Sequence, residues 1–373
     1  MRNRIGTHTH PGWIVIILAA AIAMLASSCA TSAPGGSGGP PSPIAGKPPV
    51  YIHYYLWWTP QHWSDKLGSS YPVNANPLPV PGTLGADGCS ASVNYSGATI
   101  TDIPSDGLYD QNDPATFDRH IAAAASAGVR GFTVSWQGTG SPAQDASSGY
   151  NKRLDLLVSR VNAYNATHAV HFNLALGLSA FGNYSRPSSA VLADLGYFTA
   201  RYGSNPAFAN QFSPKPLAMV LASRKYTGSQ VADIGNGFGS KLFLISDDTN
   251  KTWATQRQNF SGASWYWSSQ NPYSNPQSGS QIQDLGNQVH ADHKLWFAPF
   301  APGFNDTLNG HSSCTPRNGI GTLTRIWSMN QQSRPDAWFG ISWNEFVENT
   351  YLQPSKAFGT QQLDTLRQLI TSQ

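Results

Sequence analysis

Residues 337–348 read Ala337-Trp-Phe-Gly-Ile-Ser-Trp-Asn-Glu-Phe-Val-Glu348, an apolar run that ends in two carboxylates three positions apart. A strand with one wet face alternates polar and apolar residues, whereas a parallel strand covered on both faces is apolar throughout. Seven further runs share the second pattern, at 50–58, 131–137, 169–178, 217–222, 241–247, 263–267 and 294–300, with the last one over 338–343. Helix signals separate them. Asp113 offers an N-cap, Pro114 suits the first helical position, and Phe117-Asp-Arg-His-Ile-Ala-Ala-Ala-Ala125 runs on toward Gly128. Further helices are expected over 151–163, 188–202, 229–238, 249–258, 280–290, 322–332 and 360–371. Eight strand–helix units predict an α/β fold, a (β/α)8 TIM barrel over 49–373, with 59–113 as a long insertion after strand one. A doubly wound open sheet is the alternative, but no glycine-rich phosphate loop supports it. No internal repeat points to a propeller or solenoid.

In such a barrel the chemistry sits at the C-terminal ends of the strands. A buried carboxylate is costly, and two close together raise each other's pKa. Glu345 and Glu348 are therefore the candidate catalytic pair, since glycoside cleavage needs one acid to protonate the leaving oxygen and a second group to assist at the anomeric carbon. The competing reading is an ion pair of one acid with Arg317 or Arg325. The strand ends also collect aromatic and amide groups: Tyr54, Tyr55, Trp57 and Trp58, with His62 nearby; Ser135, Trp136 and Gln137; Asp247 and Asp248; Tyr266; Trp343 and Asn344. Of these, Tyr54, Tyr55, Trp58, His62, Trp136, Asp247, Tyr266, Trp343 and Asn344 form the expected substrate-binding set, because indole and phenol faces stack on the C–H faces of sugar rings. For the two aspartates a helix N-cap competes with that role, and for His62 a satisfied loop histidine. No metal-ligand spacing and no Gly-x-Ser-x-Gly element stands out, so neither a metal nor a cofactor is expected.

The whole chain of 373 residues is 12% charged and 12% aromatic, with 12 Trp. A net charge of +3 without a Lys/Arg cluster argues against nucleic acid as a partner. Arg2 and Arg4 precede an apolar run over 13–26, which is shorter than the about 20 residues that span a bilayer. The run ends in Leu25-Ala-Ser-Ser-Cys29, similar to a bacterial lipobox with Ala26 where Leu is usual. The expectation is a signal peptide over 1–29, lipidation of Cys29 and a Pro/Gly/Ser tether over 30–48. Simple secretion with Cys29 trimmed away is the alternative. The chain would then lie at the cell surface or outside the cell as a monomer, touching membrane only through its lipid. Cys89 and Cys314 remain as an even pair in an oxidising compartment. Both fall in loops at one end of the barrel, after strands one and seven, so a disulfide across the rim is expected if their Cα atoms lie within about 7 Å.

Four stretches resemble glycoside hydrolase family 99, the endo-α-mannosidase-like barrels. They are Tyr54-Tyr-Leu-Trp-Trp58 with His62-Trp63; Tyr109-Asp-Gln-Asn-Asp113 together with Ala127 to Trp136; Ala301-Pro-Gly-Phe-Asn-Asp306 with Arg317; and Ser342-Trp-Asn-Glu-Phe-Val-Glu-Asn-Thr350. The last resembles the family's Trp-Asn-Glu-x-x-Glu-Gly-Thr motif. The resemblance implies a retaining, endo-acting enzyme on an oligo- or polysaccharide with α linkages. It further implies that Glu345 is a base toward the sugar's own 2-hydroxyl and Glu348 the acid and then base, through a 1,2-anhydro sugar. It also implies that Tyr266 lies near the reacting ring. The chain keeps an aromatic at Phe346 but departs from the family at Val347, Asn349 and Gln353, where a His, a Gly and a third acid are usual. An α-mannan is therefore one expectation and another α-glycan a second. The rival readings are a non-catalytic glycan-binding surface lipoprotein on the same barrel, and a structural envelope protein.

Overall fold

The computed structural model describes residues 46–139, 149–179, 186–249 and 257–373. The expected export signal, Cys29 and most of the expected tether lie outside these residues, as does most of the expected helix over 249–258.

The first strand, β1 (Val50–Tyr54), leads into a long insertion holding α1 (Pro60–Leu67) and a hairpin of β2 (Gly82–Leu84) and β3 (Ala91–Val93). The chain then alternates: α2 (Pro114–Ser126), β4 (Gly131–Trp136), α3 (Tyr150–Asn165), β5 (Asn173–Ser179), α4 (Ser188–Tyr202), β6 (Leu217–Leu221), α5 (Gly228–Phe238), β7 (Phe243–Asp247) and β8 (Gly262–Ser264). It closes with α6 (Ser278–Ala291), β9 (Leu295–Phe300), the short ribbon β10 (Phe304–Asn305) and β11 (Cys314–Thr315), α7 (Gly321–Gln331), β12 (Ala337–Gly340) and α8 (Gln361–Thr371). Strands β1, β4, β5, β6, β7, β8, β9 and β12 form a closed parallel barrel, with β1 hydrogen-bonded to β4 on one side and β12 on the other. This is the (β/α)8 barrel expected from the sequence.

Local chemistry explains the boundaries. Asp113 accepts the Ala115 N–H at 3.0 Å and Pro114 opens α2, a cap of the kind that contributes about 1 kcal/mol. The ladders stop short of the apolar runs because side chains take over the backbone groups at the rim. The Tyr55 N–H donates to Asn344 Oδ1 at 2.9 Å and the Trp58 N–H to Gln111 Oε1 at 2.8 Å.

The strand period of two sorts residues into separate cores. Ile52, Tyr54, Phe132, Val134 and Trp136 pack with helix residues such as Phe117, Ile121 and Leu154 in the layer between barrel and helices. Tyr51, Ala175, Met219, Ile245, Phe297 and Phe339 fill the barrel interior. A third cluster, with Trp58, Trp63, Ile100, Tyr109, Phe346 and Tyr351, holds the insertion against the turn after β12. Inside the barrel one glycine has a spatial reason: a Cβ on Gly177 would lie 3.0 Å from both His53 Cε1 and the Val134 carbonyl oxygen.

Cys89, in the β2–β3 turn, is bonded to Cys314 of β11, with Cα atoms 5.8 Å apart. The expected rim disulfide is present, and it ties the insertion to the loop after β9.

Candidate active site

A cavity of about 370 Å³ opens at the C-terminal ends of the strands. His53, Tyr55 and Trp57 from the end of β1 form one wall, with Ser135 and Gln137 from β4 and Ser179 from β5. Leu221, Ala222, Arg224 and Lys225 follow from β6, Asp247 from β7, Tyr266 after β8 and Glu348 after β12.

The two glutamates stand differently toward this space. Glu348 lines it and is half-buried, and its Oε2 has no hydrogen-bond partner among the described residues. Burial, and then the charge of Asp306, push its carboxyl up to about 7. Its main chain is fixed because the Asn305 N–H donates to the Glu348 carbonyl at 2.8 Å. Glu345 is 2% exposed and is not among the residues lining the cavity. Its Oε1 accepts the Val347 N–H at 2.8 Å, and Ser342 Oγ accepts its own N–H at 2.9 Å. Burial first, and then the Glu348 charge, raise the Glu345 carboxyl well above the ordinary range, while the N–H groups of Val347 and Glu348 oppose the rise. Neither glutamate pairs with Arg317 or Arg325. The Arg317 Nη2 donates instead to the carbonyls of Asn349 and Tyr351, both at 2.8 Å.

The hydroxyls of Tyr55 and Tyr266 meet at 2.8 Å on the cavity wall. Burial, each other and both glutamates hold the Tyr55 phenol well above its usual value, so it stays neutral and can donate. Tyr266 is raised in the same way, by burial and then by Glu348. Its backbone is held by Asp247, whose Oδ1 accepts the Tyr266 N–H at 2.8 Å. The other oxygen of Asp247 accepts the Ala222 N–H at 2.6 Å and pairs with Arg224. Asp247 thus lines the cavity and braces two of its walls. Asp248 lies elsewhere, in a buried pair with Arg257 at 2.6 Å.

Several expected sugar contacts are corrected by the structure. Tyr54 is fully buried on the helix-facing side of β1, where its hydroxyl meets His120 Nδ1 at 2.7 Å and accepts from Gln111 Nε2 at 3.0 Å. Trp136 is fully buried on the same side of β4, donating to Asn151 Oδ1 at 3.0 Å. Trp58 is fully buried in a stack on Trp63, with centroids 3.8 Å apart, and Trp343 is packed on Phe132. None of these four has a ring face left for a ligand. Asn344 is also fully buried. It accepts from the Tyr55 N–H and donates Nδ2 to the Tyr55 carbonyl at 3.0 Å, so its amide adds one rung between the ends of β12 and β1. His62 stands behind the wall, stacked on Trp57, and burial lowers its imidazole to about 4.

The residues absent from the expected set are His53, Trp57, Ser135, Gln137, Ser179 and Arg224. His53 is 1% exposed and burial pushes it down to about 3, so a neutral imidazole faces the cavity. Among the described residues no group of three or more His, Cys, Asp or Glu is arranged to hold a metal ion.

No protein-family model and no curated protein matches the sequence. Among solved structures, the GH99 endo-alpha-mannosidase of Bacteroides thetaiotaomicron superposes with a TM-score of 0.64 at 18% identity, covering 87% of this chain and 96% of that one. A protein described as glycoside hydrolase-like superposes at 0.58 and 12% identity, covering 90% of this chain and 97% of that one. At such identities the likeness is one of architecture, and the chain has a GH99-like barrel fold.

Proposed function

We propose that the protein is a glycoside hydrolase acting on an α-linked glycan, endo-acting and retaining, with Glu348 as its acid and base. The observation that carries this reading is the Glu348 carboxyl, which lines the cavity with an unpartnered Oε2 and a pKa raised to about 7. A carboxylic acid that keeps its proton near neutral pH can give it to a departing sugar oxygen. In the proposed sequence the pair shares one proton, held by Glu348; Glu345, as the carboxylate, takes the proton of the sugar 2-hydroxyl, O2 bonds to the anomeric carbon, and the glycosidic C–O bond breaks. The leaving oxygen takes the Glu348 proton. Water then gives a proton to Glu348 and attacks the anomeric carbon of the anhydro sugar, and O2 recovers its proton from Glu345. Tyr55 and Tyr266, as neutral hydroxyls beside both acids, would orient the sugar. The proposal extends to an exported chain, anchored by lipid at Cys29 through the 30–48 tether and working as a monomer.

One observation favours a second reading. Glu345 is tied to the turn that follows it and does not line the cavity, as in a protein that binds a glycan without cutting it. Release of reducing ends from α-mannans and α-1,3-glucans separates the two. The enzyme releases them, and Glu348→Gln stops release while retaining oligosaccharide binding. Binding without release by the wild-type protein on every substrate would leave the glycan-binding reading standing.

A further inference from the structure

A second cavity, of about 550 Å³, lies between the β2–β3 hairpin and the segments around residues 317–319 and 356–358. Its walls are largely apolar, from Val80, Leu84, Ala86 and Phe358, and it shares no lining residue with the candidate active site. Arg317 lines it while only 4% exposed, and its Nε and Nη1 have no hydrogen-bond partner among the described residues. The guanidinium carbon sits 4.3 Å from the Tyr351 ring centroid and 4.6 Å from that of Phe358. Two rings therefore lie against the group, and the N–H donors of a guanidinium lie in its plane, where a flat oxyanion binds well.

The charges lining the cavity do not cancel. Asp102 already accepts the N–H groups of Ile103 at 2.8 Å and Ala357 at 3.0 Å, and the Tyr351 hydroxyl at 2.7 Å. Arg317 and Lys356 stand against this one carboxylate, leaving a net single positive charge. A buried donor without an acceptor costs about 1–3 kcal/mol, so the site favours a ligand that supplies one.

We propose that this cavity binds a small organic monoanion, a carboxylate on an apolar body, with the carboxylate on Arg317 and the body against Leu84 and Phe358. The site is separate from the one used for glycans. It nevertheless reaches the catalytic turn, because Arg317 Nη2 holds the carbonyls of Asn349 and Tyr351 just beyond Glu348.

The test is calorimetric titration of the full chain with benzoate, with acetate and benzyl alcohol as the anion-only and ring-only controls. Benzoate is expected to bind in the millimolar range or tighter, and each control at least about tenfold more weakly. Leu84→Trp fills the apolar end without touching Arg317 and should weaken benzoate at least about tenfold with an unchanged melting temperature. Arg317→Lys should weaken benzoate and leave benzyl alcohol as before. Equal binding of benzoate and acetate, no benzoate heat at all, or undiminished binding by the folded Leu84→Trp protein would each overturn the assignment.

Discussion

Asn344 decides between two readings of the motif in which it stands, and its replacement gives numbers. Asn344→Ala removes the acceptor for the Tyr55 N–H and the donor to the Tyr55 carbonyl, both buried. The Tyr55 carbonyl keeps its bond from Gln111 Nε2 at 2.8 Å, so the N–H alone is stranded, at a cost of about 1–3 kcal/mol. The bond from Trp58 Nε1 goes to the Asn344 backbone carbonyl and survives the substitution. With an unfolding entropy of roughly 2.1 cal/mol/K per residue over the barrel, each kcal/mol lowers the melting temperature by about 1.5 °C, giving a fall of about 1.5–4.5 °C. Asn344→Asp should be at least as damaging, because it sets a carboxylate against the Tyr55 carbonyl next to the buried Glu345. Scanning calorimetry at fixed pH measures the fall, and oligosaccharide titration on the same samples measures binding. A variant that melts with the wild type but loses glycan affinity would refute the clamp and return Asn344 to the substrate.

Glu348→Gln should abolish reducing-end release while leaving the fold intact. Because Glu348 titrates near 7 when folded and near 4.5 when unfolded, its proton stabilises the fold below the lower value, and that stability is lost as pH rises through about 7. The Gln variant should therefore lose less stability between pH 5 and pH 8 than the wild type, and urea titrations at several pH values would show it. Activity should fall above about pH 7 as the acid loses its proton, and Asp306→Asn, which removes a charge that raises Glu348, should move that limb to lower pH. No movement, or movement upward, would take Asp306 out of the account. Asp247→Ala leaves Arg224 unpaired and frees the N–H groups of Ala222 and Tyr266, so a loss of several kcal/mol in stability and of most activity is expected; wild-type turnover would refute the bracing role. Trp136→Phe should lower the melting temperature by a few degrees yet leave glycan affinity unchanged, since the indole faces the helices.

The architecture was legible because eight continuous apolar runs separated by capped helices admit few other folds, and Asp113-Pro114 marked a helix start to the residue. The same apolarity hid which way each side chain points. Both faces of a barrel strand are buried, so hydropathy does not alternate and the large aromatics draw the eye. Tyr54 and Trp136 stand out in the sequence, whereas it is their neighbours His53, Ser135 and Gln137 that face the cavity. Parity was available, however. With Tyr55 taken as lining, the same-face positions on its strand are 53 and 57, and both line the cavity. Arg224 was out of reach, since its place depends on how the β6 loop meets Asp247 across the barrel. Glu345 and Asn344 show a different limit. A motif says which polar groups are buried together, but not whether their atoms turn to a ligand or to the backbone.

Gly177 carries a consequence for how this chamber can vary. The His53 imidazole rests in the space that a side chain at 177 would fill. Any larger residue there would press on this ring, which faces the cavity. The contour of the cavity can therefore be redrawn from a position that does not line it, so the shape of the proposed glycan site is adjustable while the identity of every wall residue stays the same.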